Sequence, residues 1–145
     1  MSFLSTVGYK EAIPNASRSA GSTAVNGNTI HTDIYTSAAA LIEFGAITTN
    51  AVTSIKWQGS EDNSTWHDLK DTKLDVADTD DNKYFVNVLS GAMHKYVRVV
   101  ISRGTANATI RSGWYILGDP HLSGTANPGE IAGTKVTGSP EFGTA

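Results

Sequence analysis

The run Lys95-Tyr96-Val97-Arg98-Val99-Val100-Ile101-Ser102-Arg103 constrains this chain more than any other stretch. Val97, Val99 and Ile101 share one parity, while Tyr96, Arg98 and Ser102 take most of the other. A period of two carried by β-branched side chains describes a strand with one buried face. Gly104-Thr105-Ala106-Asn107 then breaks the chain. The following run, Ala108 to Leu117, places Ile110, Trp114 and Ile116 on one parity. Together the two runs read as a hairpin at the centre of an antiparallel sheet.

Shorter runs of the same kind recur on both sides of a series of turns. Thr29 to Thr36 carries Ile30 and Ile34 on one parity, with His31 and Asp33 on the other. Ala38 to Ile47 alternates Ala40, Ile42, Phe44 and Ala46 with Leu41, Glu43 and Gly45. An alanine-rich helix from Ser37 competes for that segment, but Gly45 and the Thr48-Thr49-Asn50 break favour a strand. Val52 to Gly59 aligns Ile55 with Trp57. After the acidic tip Ser60-Glu61-Asp62-Asn63-Ser64, a short strand returns through Trp66 to Leu69. Lys73 to Val76 and Tyr84 to Leu89 complete the series. The expected fold class is all-β: an antiparallel, jelly-roll-like β-sandwich of about eight strands.

The flanks have a different character. Residues 1–28 are rich in Ser, Ala, Gly and Asn and carry no sustained apolar period, so they are expected to form an extended N-terminal arm. Val7, Tyr9 and Ile13 are spaced along it like isolated anchors for a partner. Residues 29–117 form the expected sandwich body. Gly and Pro punctuate residues 118–145, which are expected to form a second arm. Within it, Gly138-Ser139-Pro140-Glu141-Phe142 has the look of a cloning-site remnant.

A chain of 145 residues is large enough to fold as one domain around its own core. It contains no Cys, which excludes disulfides and Cys-based zinc sites. A net charge of -3 argues against a nucleic-acid partner, which would call for a basic footprint. No run approaches the ~20 apolar residues of a membrane helix, and residues 1–8 lack the charge and apolar run of an export signal. The expectation is a soluble product made inside the cell.

No catalytic constellation emerges. There is no Gly-x-Ser-x-Gly elbow, no Ser-x-x-Lys, no His-Glu-x-x-His and no phosphate-cradling glycine loop. His31, His67, His94 and His121 are scattered. Asp78, Asp80 and Asn82 repeat the opening of a calcium loop, yet its Gly and closing Glu are missing, so a solvated acidic turn is the expectation. Neither a metal nor a cofactor is expected. Trp57, Trp66 and Trp114 read first as packing residues, with Trp57 and Trp66 as glycan-stacking residues in the alternative. Tyr96, Arg98 and Arg103 are expected to meet a partner surface, because Tyr and Arg are enriched at interfaces.

The stretch Ser60-Glu61-Asp62-Asn63-Ser64-Thr65-Trp66-His67-Asp68-Leu69, followed by Lys95-Tyr96-Val97-Arg98-Val99-Val100-Ile101, resembles two groups. One is the small jelly-roll-like structural proteins of tailed bacteriophages, with their Tyr-Val-Arg strand and a following strand like Thr105-Ala106-Asn107-Ala108-Thr109-Ile110. The other is the discoidin-type binding domains. Absent cysteines and small-residue-rich flanks favour the former, of the head decoration (cement) type. That resemblance implies a homotrimeric virion protein on the capsid surface, bound to the major capsid protein. The alternative is a carbohydrate-binding or receptor-recognition module.

Overall fold

The computed structural model describes residues 8–32, 37–91, 94–118, 131–138 and 141–145. They form two β-sheets packed face to face. Sheet A orders β1 (Gly8–Glu11), β10 (Ala108–Gly118), β4 (Ser37–Ile47), β8 (Tyr84–Ser90) and β11 (Ile131–Gly138) from edge to edge. All of its pairings are antiparallel except β11 on β8, which is parallel. Sheet B is built on β9 (Tyr96–Gly104) and β5 (Val52–Ser60). Its rims are β2 (Val25–Asn26) and β3 (Ile30–His31) against β9, and β6 (His67–Asp68) and β7 (Leu74–Val76) against β5. The all-β sandwich read from the alternation is therefore the fold. It has eleven strands among the described residues rather than about eight, because four are only two or three residues long.

The core lies between the sheets. Val97, Val99 and Ile101 of β9 and Ile55 and Trp57 of β5 meet Ile42, Phe44, Phe85, Leu89, Ile110 and Tyr115 from sheet A. The Trp57 ring stacks on Tyr115 at 5.7 Å, and Phe44 meets Phe85 edge-on at 5.6 Å. These are geometries in which aromatic pairs gain beyond their buried area.

Three buried polar side chains close the gaps that the short rim strands leave. Between β6 and β7 the backbone of β5 has no strand partner. There the Trp57 N–H donates to Thr72 Oγ1 at 3.1 Å, and Asn87 Nδ2 donates to Ile55 O and Thr72 O at 3.0 and 2.9 Å. Asn87 Oδ1 accepts from the Trp57 indole at 3.2 Å. Asn87 is thus fully used, as a buried amide must be. Between β2 and β3, Tyr115 does the same for β9. Its hydroxyl accepts from the Val99 N–H and donates to Asn28 O, both at 2.9 Å. Burial in this site pushes the Tyr115 phenol pKa up, so it stays a donor throughout the ordinary pH range. A side chain on Gly27 would place its Cβ 2.6 Å from that hydroxyl, so only glycine fits.

Three expectations are corrected. The hairpin between Lys95–Arg103 and Ala108–Leu117 does not form, because β9 and β10 belong to opposite sheets. The chain turns between layers at Thr105, whose φ is 64°, and the Ala108 N–H donates to Gly21 O at 3.0 Å. Alternation marks two inward-facing strands; whether they lie side by side or face to face is set by the connection. Next, the parity of β10 does not run through. Its pairing with β4 shifts register between Ala108 and Ser112, and a bulge swaps which side chains face inward. Ile110 and Tyr115 are buried, whereas Trp114 is 46% exposed.

Finally, residues 8–28 are built into the body. β1 lies along β10, Ala12 and Ile13 are fully buried, and Val25 lies opposite Ile101. The tail follows suit: β11 completes sheet A, and Phe142 bridges to Leu69 at the rim of sheet B. A composition poor in large apolar residues hid these strands: of residues 8–28, only Ala12, Ile13 and Val25 join the core.

Candidate functional site

The outward parity of β9 and β5 builds a single array across sheet B. Gln58 lies directly opposite Arg98 on one side and Asp68 on the other. Arg98 donates through Nε and Nη2 to Gln58 Oε1 at 3.1 and 2.9 Å. Gln58 Nε2 donates to Asp68 Oδ1 at 3.0 Å, and Lys56 Nζ donates to Asp68 Oδ2 at 2.8 Å. Only one orientation of the Gln58 amide satisfies both neighbours. The Arg98 guanidinium lies over the Trp66 ring, 4.2 Å from its centroid. Five side chains from three strands and one hairpin are thus held in a fixed sequence: Trp66, Arg98, Gln58, Asp68, Lys56.

The hairpin tip aims Trp66 at this array. Asp62 Oδ1 accepts from the Ser64 and Thr65 N–H groups at 2.9 and 2.7 Å, and Ser60 Oγ donates to it at 3.0 Å. Asn63 takes the left-handed conformation, φ 57°, which asparagine tolerates well. Those backbone donors hold the Asp62 carboxyl at a pKa of about 2. Asp68 is also lowered: partial burial works against its charge, but the hydrogen bonds and charge of Lys56 and the amide of Gln58 prevail.

Beside the array, Tyr96 meets His31 edge-on at 4.7 Å, and Lys95 Nζ sits 5.9 Å from the Tyr96 ring centroid. Besides the array, this face therefore carries Tyr96, His31 and Lys95; of its residue types, Trp, Tyr and Arg are those that most often anchor protein contacts. It offers stacking and hydrogen bonding.

The opposite, outer face of sheet A carries an apolar patch. Trp114, Leu41 and Val86 make one cross-strand row, with Glu11 opposite Trp114 at the edge, and Tyr9, Ile116, Ala39 and Val88 make the next. Tyr9 and Trp114 are its exposed members, at 54% and 46%.

The structure separates the expected site residues. Tyr96, Arg98 and Trp66 come together on sheet B, and Tyr9 stands exposed on sheet A. Ile13 is 0% exposed, so it is a core residue and not an anchor for a partner. Trp57 is also 0% exposed and cannot stack on a glycan; core parity with Ile55 puts it inside. Arg103 is removed from the sheet surface, because it continues the inward parity of Val97, Val99 and Ile101. Val7, Asp33, Ile34 and His121 lie outside the described residues.

Gln58, Asp68 and Lys56 were missed. Their signal is the hairpin register, which sets Gln58 opposite Asp68. Trp114 was missed as an exposed residue because the bulge reversed its parity. In the acidic turn, Asp78 Oδ2 accepts from the Asn50 N–H, and Asp80 from the Ala77 N–H and Lys83 Nζ, so those oxygens hold the turn itself.

No protein-family model, curated protein or solved structure matches this chain.

Proposed function

We propose that this chain is a non-enzymatic structural protein of a bacteriophage particle, a head decoration protein that binds the outer shell and ties neighbouring capsid subunits together. The observation that carries the reading is the Trp66–Arg98–Gln58–Asp68–Lys56 array. It is a partly exposed, cross-linked surface, fixed in place before any partner arrives. Side chains already held in their bound geometry lose little conformational entropy on contact, which favours affinity. The exposed aromatics Tyr9 and Trp114 on the far side of the sandwich supply a second surface, and a body with contact residues on two faces can bridge two neighbours. Many copies on a repeating shell act together, so each contact can be modest. The sequence resemblance to small phage structural proteins names the particle, the homotrimer and the major capsid protein as partner.

The array also favours a second reading, recognition of a carbohydrate or a host receptor. An indole flanked by Arg, Gln and Asp groups is a chemistry that suits a pyranose ring and its hydroxyls, with Trp66 as the stacking residue.

Electron microscopy of virions, with and without this protein, tests the first reading. It predicts added density on the outer head surface at a repeating position between capsid subunits. Density at the tail, or none on the particle, overturns it.

A further inference from the structure

Arg103 ends the inward-facing series of β9, and its side chain enters the end of the sandwich beneath residues 17–26. It is 7% exposed. Nε donates to Thr23 O at 2.8 Å, and Nη1 donates to Ser19 O at 2.8 Å and Ala108 O at 2.9 Å. These carbonyls are neutral. No carboxylate pairs with Arg103 among the described residues. Buried charges are normally paired, because removing an ion from water is expensive. Desolvation accordingly pushes the Arg103 pKa down.

The unpaired charge borders a cavity of ≈ 460 Å³, walled by Ser17, Ser19, Gly21, Thr23 and Asn26 among others. That wall contains hydroxyls and an amide but no acidic side chain. The remaining nitrogen, Nη2, has no acceptor among the described residues, and it lies against Gly21. A Cβ on Gly21 would come within 2.9 Å of Nη2. Glycine there keeps the free edge of the guanidinium uncovered.

We infer that this cavity is a socket for a carboxylate side chain carried by an acidic segment of a partner protein, with Nη2 of Arg103 as the charged donor and the surrounding hydroxyls as secondary donors. A carboxylate supplies the missing counter-charge and makes a charge-assisted hydrogen bond to the open nitrogen. The volume favours a group delivered on a chain over a bare ion. The space is an open cleft rather than an enclosed one, so a side chain on a partner's backbone can enter it from solvent. This socket is separate from the sheet B array. It fails or stands independently of the particle reading, because its test involves no capsid.

The test is a titration of the full-length, ¹⁵N-labelled chain, followed through the amides of residues 17–26 and the Arg103 Nε–H. Three probes are compared: a blocked tripeptide with a central glutamate, its glutamine counterpart, and inorganic phosphate. The glutamate peptide is expected to produce saturable shifts confined to this region. The glutamine peptide should bind about tenfold more weakly or worse, as loss of a charged hydrogen bond demands. Gly21→Ala, whose Cβ would sit 2.9 Å from Nη2 and cover its open edge, should abolish the response while the amides outside residues 17–26 stay unchanged. Equal binding of the two peptides, no binding, or an undiminished response in Gly21→Ala overturns the proposal. Phosphate binding more tightly than the glutamate peptide also overturns it, since the site would then be one for a free oxyanion.

Discussion

The guanidinium of Arg98 lies 4.2 Å from the centroid of the Trp66 indole, and its Nε and Nη2 both donate to the single oxygen Gln58 Oε1. One residue is thereby tied at once to the hairpin tip and to the neighbouring strand. Arginine suits this position because its planar group can stack and donate in the same pose, which lysine cannot do.

That geometry predicts a measurable coupling. In a double-mutant cycle of Arg98→Ala and Trp66→Ala, chemical denaturation should give an interaction energy of about 0.5–1 kcal/mol. Each single variant should remain folded, since both side chains lie on the outside of the sheet. Strict additivity would show that the stack contributes nothing.

The leader provides a sharper test, because its role changes from arm to core. Ile13→Ala removes a fully buried side chain and should destabilise the protein by about 2–5 kcal/mol. Deletion of residues 1–28 takes away Ala12, Ile13 and Val25 together, and should leave a chain that does not fold cooperatively. A truncated protein with an unchanged melting temperature would mean that these residues are an appendage.

Asn87 stands inside the core at 0% exposure, with all its polar atoms engaged. Asn87→Leu is close in volume, but it strands the Trp57 indole N–H and the two carbonyls of Ile55 and Thr72. Unsatisfied buried groups of this kind cost about 1–3 kcal/mol each, so thermal denaturation should fall well beyond what a conservative core swap produces. A neutral or stabilising effect would show that the gap between β6 and β7 is filled some other way.

These contrasts show what the sequence makes legible. The parity of Val97, Val99 and Ile101, and of Ile55 with Trp57, is enough to identify sheet B's inner face. The same rule applied to Ile110 and Trp114 fails, because a bulge between them costs one residue of register and no composition signal marks it. The Lys95–Leu117 segment looks like a hairpin since both strands alternate, yet a layer change at Thr105 leaves no periodic trace. The leader is misread for a different reason: its strands are too short to show a period, and Ile13 is a lone apolar residue among polar ones. Of the candidate site, Trp66, Tyr96 and Arg98 are visible as residue types. Gln58 and Asp68 become visible only through the register that pairs them, and the inward parity of Arg103 was in plain sight as the next step after Ile101.

The hairpin tip should respond to acid. Asp62 has a pKa of about 2 against an ordinary value of 3.8, so its contribution is present above about pH 4 and lost as pH falls through about 2. Asp68 is shifted in the same direction. The amide resonances of Ser64 and Thr65 should therefore move together in that window, and Asp62→Asn should remove the transition. Shifts centred near pH 4 in the native protein would contradict the hydrogen-bonded turn.

The proposed function assigns particle binding to the outer face of sheet B. Co-sedimentation of the purified chain with phage heads lacking it tests that most directly, comparing the native protein with an Arg98→Ala, Trp66→Ala variant shown to be folded. The account predicts saturable binding of the native protein and loss of about 2 kcal/mol or more in the variant, the level expected of interface anchors. Binding of both proteins with equal affinity, or failure of the native protein to bind heads at all, would contradict it.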